Sequence, residues 1–358
     1  MQWPCLFTRA LIVVFASLPL SAPGFADDSR DPTFGFDGMH IFKFHKGVGP
    51  IAFGDFDADG RQDLAVMNNF RGELVLLHQD PEGKGRITGE GANTLNDPDG
   101  YRRETVLVQL NVHAMLCHDL NQDGWTDLLL FGSQQGIEVR WGAEESSFRE
   151  RNRYRVTDGV PSPHALALLE GDEGPEVFLL AKKGVHRYRH FSRERSPDHS
   201  FLAGSAPKSR ALHLADLNRD GTRDLITIVS DPENPYRLRL GRDDGAFGAE
   251  YILRGFRINY ALPVETREGT SLVALPSGRA RFHTLALDVK KTTDPLDLPA
   301  PEIHPLDASG LEEPRMLVAD LDGDGDVDVA ISHRKESSIL LFLNEGGDRR
   351  RRPSLIAF

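Results

Sequence analysis

Cysteine, long apolar runs and positive charge are all scarce in this chain of 358 residues. Two cysteines exclude a scaffold held together by several disulfides. No apolar run reaches the roughly 20 residues that a transmembrane helix needs. The formal net charge of −12 argues against a protein that binds nucleic-acid phosphates. The chain does contain 34 glycines, 22 prolines and 39% hydrophobic residues, a composition that predicts a turn-rich, all-β protein.

Residues 1–26 have the pattern of a secretory signal peptide. They carry one charge, Arg9, ahead of an apolar stretch from Ala10 to Leu20, and they end in small residues up to Ala26. We therefore expect cleavage after Ala26, a single domain over residues 27–358, and a periplasmic, cell-surface or secreted location. Cleavage leaves Cys117 as the one remaining thiol, and we interpret it as a buried packing residue.

A nine-residue acidic loop, flanked by apolar stretches, is repeated along the chain. Its complete copies begin at Asp55, Asp119, Asp216 and Asp320, and eroded copies occur at Glu170 and Glu265. Successive copies start 46 to 64 residues apart, which is the length of one four-stranded propeller blade. The repeat predicts a β-propeller of six four-stranded blades, with each loop joining the first and second strands. A seventh blade built from terminal strands remains an alternative.

The four complete loops carry the oxygen ligands that Ca²⁺ prefers. Side-chain oxygens stand at loop positions 1, 3, 5 and 9, the residue at position 7 can offer its carbonyl, and a glycine at position 6 permits a sharp turn. Carboxylates this close repel one another unless a cation lies between them. We predict about four calcium sites. Their ligands are Asp55, Asp57, Asp59, Asp63, Asp119, Asn121, Asp123, Asp127, Asp216, Asn218, Asp220, Asp224, Asp320, Asp322, Asp324 and Asp328.

An EF-hand would need a glutamate at position 12 and helices on both sides of the loop. Position 12 is Val66, Leu130, Thr227 or Ile331, and the flanking sequences alternate as strands do. The loops instead resemble FG-GAP and VCBS repeats, as found in the integrin α-subunit head and in exported bacterial proteins. This resemblance implies a β-propeller that holds calcium in the loop between the first two strands of a blade. Calcium at the eroded copies is not expected.

Polar residues stand where the first strand of several blades begins. In a propeller these positions surround one mouth of a central channel, where they could bind an anion or a sugar. They are His113, His164, Arg210, Tyr260 and Arg315.

Three functions follow as hypotheses. The first is an adhesion or binding module for a protein or a carbohydrate, which we favour because the common enzyme motifs are missing. The second is an enzyme acting on polysaccharides at the channel mouth, either a lyase or a hydrolase. The third is an accessory subunit of the cell envelope. The sequence indicates no oligomeric state.

The outer strand of the last blade has two candidates. The segment from Phe34 to His45 could pair with Ser338–Leu343 and so close the propeller, because unpaired edge strands are unfavourable. The tail Ser354–Phe358 competes for the same place, and the sequence pattern does not decide between them.

Overall fold

The computed structural model describes residues 11–12, 41–85, 97–132, 136–144, 148–171, 173–205, 208–253, 258–266, 269–276, 281–286, 302–305, 316–321, 327–333, 338–344 and 354–357. Within these residues the regular structure is all β. A short pair of strands, β1 (Leu11–Ile12) and β2 (Ile41–Phe42), precedes six four-stranded antiparallel sheets. No helix in the described part of the chain has the length and hydrophobicity to cross a membrane.

Each of the six sheets is a meander in which four consecutive strands pair in sequence order. Blade 1 contains β3 (Val48–Gly54), β4 (Asp63–Asn68), β5 (Glu73–Gln79) and β6 (Tyr101–Leu107). Blade 2 contains β7 (Ala114–His118), β8 (Asp127–Gly132), β9 (Gly136–Arg140) and β10 (Arg151–Tyr154). Blade 3 contains β11 (Leu166–Gly171), β12 (Gly174–Ala181), β13 (Gly184–Arg189) and β14 (Asp198–Ala203).

The last three blades repeat this arrangement. Blade 4 contains β15 (Ser209–Ala215), β16 (Asp224–Val229), β17 (Tyr236–Arg239) and β18 (Tyr251–Leu253). Blade 5 contains β19 (Ile258–Thr266), β20 (Gly269–Pro276), β21 (Arg281–Ala286) and β22 (Glu302–Pro305). Blade 6 contains β23 (Met316–Ala319), β24 (Asp328–His333), β25 (Ser338–Phe342) and β26 (Ser354–Ala357). The described residues thus form the six four-stranded blades of a β-propeller, as the repeat predicted.

The chain divides into two compact units. The first contains Met1–Pro163, Glu173–Pro175 and His190–Asp198, and the second contains His164–Asp172, Glu176–Arg189 and His199–Phe358. In the first unit all six residues of β4 and all six of β8 are buried. Alternate residues of β4 enter two different clusters, with Ala65 and Met67 in one and Leu64 and Val66 in the other. Packing on both faces explains why these strands are short, continuous apolar runs.

The second unit is built in the same way. One cluster contains Ile226, Ile228 and Tyr236 of blade 4 together with Leu272 and Ala274 of blade 5. Another joins residues of blade 5 to residues of blade 6. In the first strands the buried residues include small ones, such as Ala52 and Ala211 at 8% exposed, and large ones, such as Leu212 at 1% exposed. Not every large residue of a first strand is buried, because Phe53 on β3 is 54% exposed.

The outer strand of blade 6 is the C-terminal tail. Ser354–Ala357 pairs antiparallel with Ser338–Leu341. The alternative that used Phe34–His45 is wrong for its described part, because Ile41 and Phe42 pair with Ile12 and Leu11 instead. The tail follows β25 directly in the chain, so it completes the same meander as the other five blades.

The hairpin between the first two strands differs between complete and eroded repeats. In the four complete repeats, the residue before the loop pairs with the aspartate at position 9: Gly54 with Asp63, His118 with Asp127, Ala215 with Asp224, and Ala319 with Asp328. In blade 5 the hairpin is a tight turn in which Thr266 pairs with Gly269. In blade 3 the strands end at Gly171 and resume at Gly174. The eroded copies therefore have no acidic loop of full length.

Candidate metal centres and binding residues

Loops 1, 2 and 3, which begin at Asp55, Asp119 and Asp216, share one backbone conformation. Position 4 is left-handed in each, with φ of 57° to 59° at Ala58, Gln122 and Arg219. Position 6 is also left-handed, with φ of 83° to 90° at Gly60, Gly124 and Gly221. Glycine adopts this region at little cost, which explains why position 6 is glycine. Loop 4 begins at Asp320, and its residues Asp322 and Asp324 lie outside the described residues.

The aspartate at position 1 folds the loop around its own carboxylate. Asp55 accepts hydrogen bonds from the backbone N–H of Asp59 (3.1 Å) and of Gly60 (2.8 Å). Asp119 and Asp216 accept the same two bonds from positions 5 and 6 of their loops, at 2.7 to 3.2 Å. The side chains at positions 1 and 5 are thereby brought to the same side of the loop.

The aspartate at position 9 has a different task, because it is completely buried in all four complete loops. One carboxylate oxygen accepts the N–H of position 2, and the other accepts an N–H at the end of the third strand. In loop 3, for example, Asp224 accepts from Leu217 (2.8 Å) and from Gly241 (2.7 Å). The other three loops repeat this pair of bonds at 2.7 to 3.0 Å. Position 9 therefore ties the loop to its own blade.

Burial dominates the electrostatics of position 9. It raises the pKa of Asp127 to about 7 and that of Asp224 to about 6, against the lowering effect of the two backbone hydrogen bonds. The acids at positions 1 and 5 raise both pKa values further. A cation in the loop would offset this unfavourable charge.

Loop 1 has four aspartates, more than loop 2 or loop 3. Oxygens of Asp55, Asp57 and Asp59 lie within 4.8 Å of one another. Asp57 Oδ1 is buried and has no hydrogen-bond partner. In loops 2 and 3 position 3 is asparagine, whose amide donates to the acid at position 5: Asn121 to Asp123 (2.9 Å) and Asn218 to Asp220 (2.7 Å). These donor sets fit a hard cation such as Ca²⁺, which takes 6–8 oxygen ligands.

Arginine side chains already balance part of the loop charge. Arg193 donates to Asp123 (2.7 Å) and to Glu150 (2.8 Å), and its guanidinium lies over the Trp141 ring, 5.7 Å from the centroid. In loop 1, Arg102 donates to Asp57 (3.1 Å), and Arg61 forms an ion pair with Asp59. These arginines are distant in sequence or lie at variable loop positions, so the repeat pattern did not reveal them.

His78 is the residue at the loops that sequence reasoning missed. It lies on β5, is 3% exposed, and its Nδ1 is 3.0 Å from Asp63 Oδ2 and 3.5 Å from Asp57 Oδ2. Burial lowers its pKa, but the hydrogen bond to Asp63 and the charge of Asp63 raise it, and the net effect is upward. No local motif marks this histidine, because its neighbours belong to other strands and loops.

The residues predicted at the strand starts are only partly described. The ring of His164 lies 6.0 Å from that of His213, and Arg210 Nε donates to Ser230 Oγ (2.6 Å). The ring of His113 lies 6.4 Å from that of Phe131, and burial lowers the His113 pKa. The side chain of Tyr260 and all of Arg315 lie outside the described residues. The structure therefore pairs His164 with His213, a histidine outside the predicted set.

An aromatic cluster lies on the outer two strands of blade 3. The His186 ring on β13 is 4.9 Å from Phe201 and 5.1 Å from His199, both on β14, and Tyr188 is 5.0 Å from His199. Phe201 is 42% exposed and His199 is exposed, whereas Tyr188 is buried. We call these four residues the blade 3 aromatic cluster.

No family model matches this sequence, and no curated protein is similar to it. The chain is similar in structure to a lectin from Agrocybe aegerita for which specific recognition of non-reducing terminal N-acetylglucosamine is described. The TM-score is 0.56 at 15% sequence identity, and the match covers 90% of this chain and 89% of the lectin. At that identity the likeness shows the propeller fold.

Proposed function

We propose that this protein is an exported β-propeller whose loops bind calcium and whose exposed aromatic cluster binds carbohydrate. The observation that carries the calcium proposal is the common loop geometry in blades 1, 2 and 4. The same two left-handed positions and the same hydrogen bonds recur in each, and in loop 1 three carboxylates come within 4.8 Å. Chance would not repeat an unfavourable concentration of negative charge in three separate blades.

In each loop the calcium ligands are the side chains at positions 1, 3, 5 and 9 and the carbonyl at position 7. Bound calcium supplies positive charge that offsets the burial of position 9. Loop 1 has four carboxylates, whereas loops 2 and 3 have three and an asparagine, and ligand charge tunes calcium affinity. We therefore expect loop 1 to differ from loops 2 and 3 in its metal affinity.

Thermal unfolding with and without a chelator tests the calcium proposal. A ligand that binds only the folded protein stabilises it by mass action, about 2.7 kcal/mol at a hundredfold excess over Kd. We expect EDTA to lower the Tm, excess Ca²⁺ to restore it, and Asp220→Ala to reduce the shift. Asp243→Ala is the matched control, because Asp243 is an exposed acid outside the loops. A calcium shift of the same size in Asp220→Ala and in the parent protein would contradict the assignment of loop 3.

Carbohydrate binding is supported by the blade 3 aromatic cluster and by the fold shared with a lectin. Aromatic rings offer an apolar face to the C–H groups of a sugar, and imidazole nitrogens can hydrogen-bond to its hydroxyls. The described surface places both kinds of group side by side, with His186 Nδ1 only 2.9 Å from His199 Nε2. We therefore propose that a glycan binds at the outer strands of blade 3.

A glycan array that includes glycans with terminal N-acetylglucosamine tests the carbohydrate proposal. We expect binding by the parent protein and its loss in Phe201→Ala. Ile252→Ala is the matched control, because Ile252 is 52% exposed and lies on β18, the outer strand of blade 4. A blank array contradicts the proposal, and capture of a purified envelope protein instead would identify an adhesion module for protein.

Export rests on the charge and apolar pattern of residues 1–26. N-terminal sequencing of the protein recovered from its native cells tests it. We expect the mature chain to begin at Asp27, and a mature protein that retains Met1–Ala26 would contradict export by cleavage.

A further inference from the structure

His78 occupies a position that is apolar in the other complete repeats. It directly precedes Gln79, whose N–H is accepted by the position 9 aspartate of loop 1. The residues that precede the corresponding N–H donors are Trp141, Leu240 and Leu343. Blade 1 therefore places an imidazole where blade 2 places an indole and blades 4 and 6 place leucine.

The imidazole is within ligand distance of two loop carboxylates. Nδ1 of His78 is 3.0 Å from Asp63 Oδ2 and 3.5 Å from Asp57 Oδ2, and ligand atoms of all three residues lie within 4.8 Å of one another. In a tetrahedral site with bonds of about 2.0–2.1 Å, neighbouring ligand atoms are about 3.3 Å apart. The two distances from His78 Nδ1 thus lie close to that spacing, and the ligand atoms of the two carboxylates are within 4.8 Å of each other.

Unpartnered buried atoms supply an independent observation at the same place. Asp57 Oδ1, His78 Nε2 and Glu104 Oε1 are all buried without a hydrogen-bond partner. His78 is 3% exposed, and its Nε2 lies 3.4 Å from Glu104 Oε2. Buried polar atoms without partners are rare in folded proteins, and a binding site for an ion is one of the places where they occur.

We propose that Asp57, Asp63 and His78 bind a divalent transition-metal ion such as Zn²⁺. The ion is held by the two carboxylates and by His78 Nδ1, while Glu104 accepts the N–H at Nε2. A carboxylate behind a ligating histidine fixes the tautomer and the orientation of the ring. Calcium takes oxygen ligands, whereas imidazole suits zinc and its neighbours, so blade 1 would select a different metal from loops 2 and 3. Asp57 and Asp63 are also positions 3 and 9 of loop 1, so this inference replaces calcium by a transition metal in loop 1 and leaves the calcium proposal for the other loops unchanged.

Metal analysis in the presence of excess calcium tests the site. The purified chain is stripped with a chelator, incubated with stoichiometric Zn²⁺ in a large excess of Ca²⁺, separated from free metal and analysed for bound zinc. We expect one Zn²⁺ per chain in the parent protein and none in His78→Leu. Leucine is the residue found at the equivalent place in blade 4, so this variant should fold, which thermal unfolding verifies. Glu104→Gln should weaken zinc binding about 10–100-fold.

A second possible zinc site is the pair His186 and His199 in the blade 3 aromatic cluster, whose ring nitrogens lie 2.9 Å apart. The double variant His186→Ala/His199→Ala is the control for binding there. We expect this variant to retain its zinc. The proposal would be overturned if the parent protein binds no zinc or if His78→Leu retains it. It would also be overturned if the double variant loses its zinc. Zinc binding without any stabilisation by calcium would support this site and contradict the calcium proposal alone.

Discussion

Variants of Asp224 can distinguish the two roles proposed for the loop carboxylates. One role is to accept hydrogen bonds that stabilise the fold, and the other is to bind an ion. The two oxygens of Asp224 accept the N–H groups of Leu217 (2.8 Å) and Gly241 (2.7 Å), and its side chain is completely buried. Asp224→Ala leaves both donors without an acceptor, whereas Asp224→Asn keeps one acceptor in its carbonyl oxygen and turns its own N–H2 group toward the other donor. Both variants remove the same buried charge, so the relief of that charge cancels when the two are compared.

The magnitude follows from the difference of one buried donor. An unsatisfied buried N–H costs about 1–3 kcal/mol. We therefore expect Asp224→Asn to exceed Asp224→Ala in free energy of unfolding by about 1–3 kcal/mol. Because both hydrogen bonds are internal to the protein, the difference should persist in EDTA.

Guanidinium-induced unfolding in EDTA and in calcium measures this difference. Asp220→Ala is the comparison within the same loop, because Asp220 is exposed and its hydrogen bonds with Asn218 and Thr222 lie within the loop. We expect this variant to lie within about 0.5 kcal/mol of the parent protein in EDTA, and to lose stability relative to it only in calcium. Equal stability of the alanine and asparagine variants at position 224, or a difference that disappears in EDTA, would refute the reasoning.

Three further predictions concern other parts of the fold. Burial and the neighbouring His164 lower the pKa of His213 to about 4, so the unfolded chain gains a proton below the ordinary value of about 6.5 while the folded one does not. Between pH 6.5 and pH 4 the free energy of unfolding of the parent protein should therefore fall by about 3 kcal/mol more than that of His213→Leu. Equilibrium unfolding across this pH range measures the difference. Burial raises the pKa of Cys117 to about 11, and its thiol donates to the Phe53 carbonyl. Cys117 is half-buried rather than buried as predicted. Iodoacetamide at pH 8 should still leave it unmodified in the native protein and label it in guanidinium, as mass spectrometry would show; rapid native labelling would contradict its raised pKa. Gly124→Ala should lower the free energy of unfolding by about 1–2 kcal/mol, because φ is +90° there while no atom lies near the added Cβ. Thermal unfolding measures this loss, and an unchanged Tm would contradict the left-handed turn.

The blade count and the position of the loops were predictable because both depend on local sequence. Alternating residues identified strands such as β3, and the acid–glycine spacing located the turn between the first and second strands. The role of position 9 was only partly predictable, since the donor at the end of the third strand lies 15–17 residues further along the chain.

Contacts between distant residues were not predictable in this way. Arg193 reaches Asp123 from 70 residues away. His78 meets Glu104 because β5 pairs with β6 in a register that places His78 opposite Arg102. The choice between Phe34–His45 and Ser354–Phe358 for the last outer strand was also open, because both segments have the apolar character of a strand.

The amino-acid sequence by itself therefore determined the all-β class, the six repeats and the conformation of the acidic turns in loops 1, 2 and 3, since backbone preference and side-chain period act over a few neighbouring residues. Only the tertiary structure decided which arginine side chain contacts a loop carboxylate and which histidine lies beside a loop. Those contacts depend on cross-strand register and on blade packing, and no local stretch of sequence encodes either.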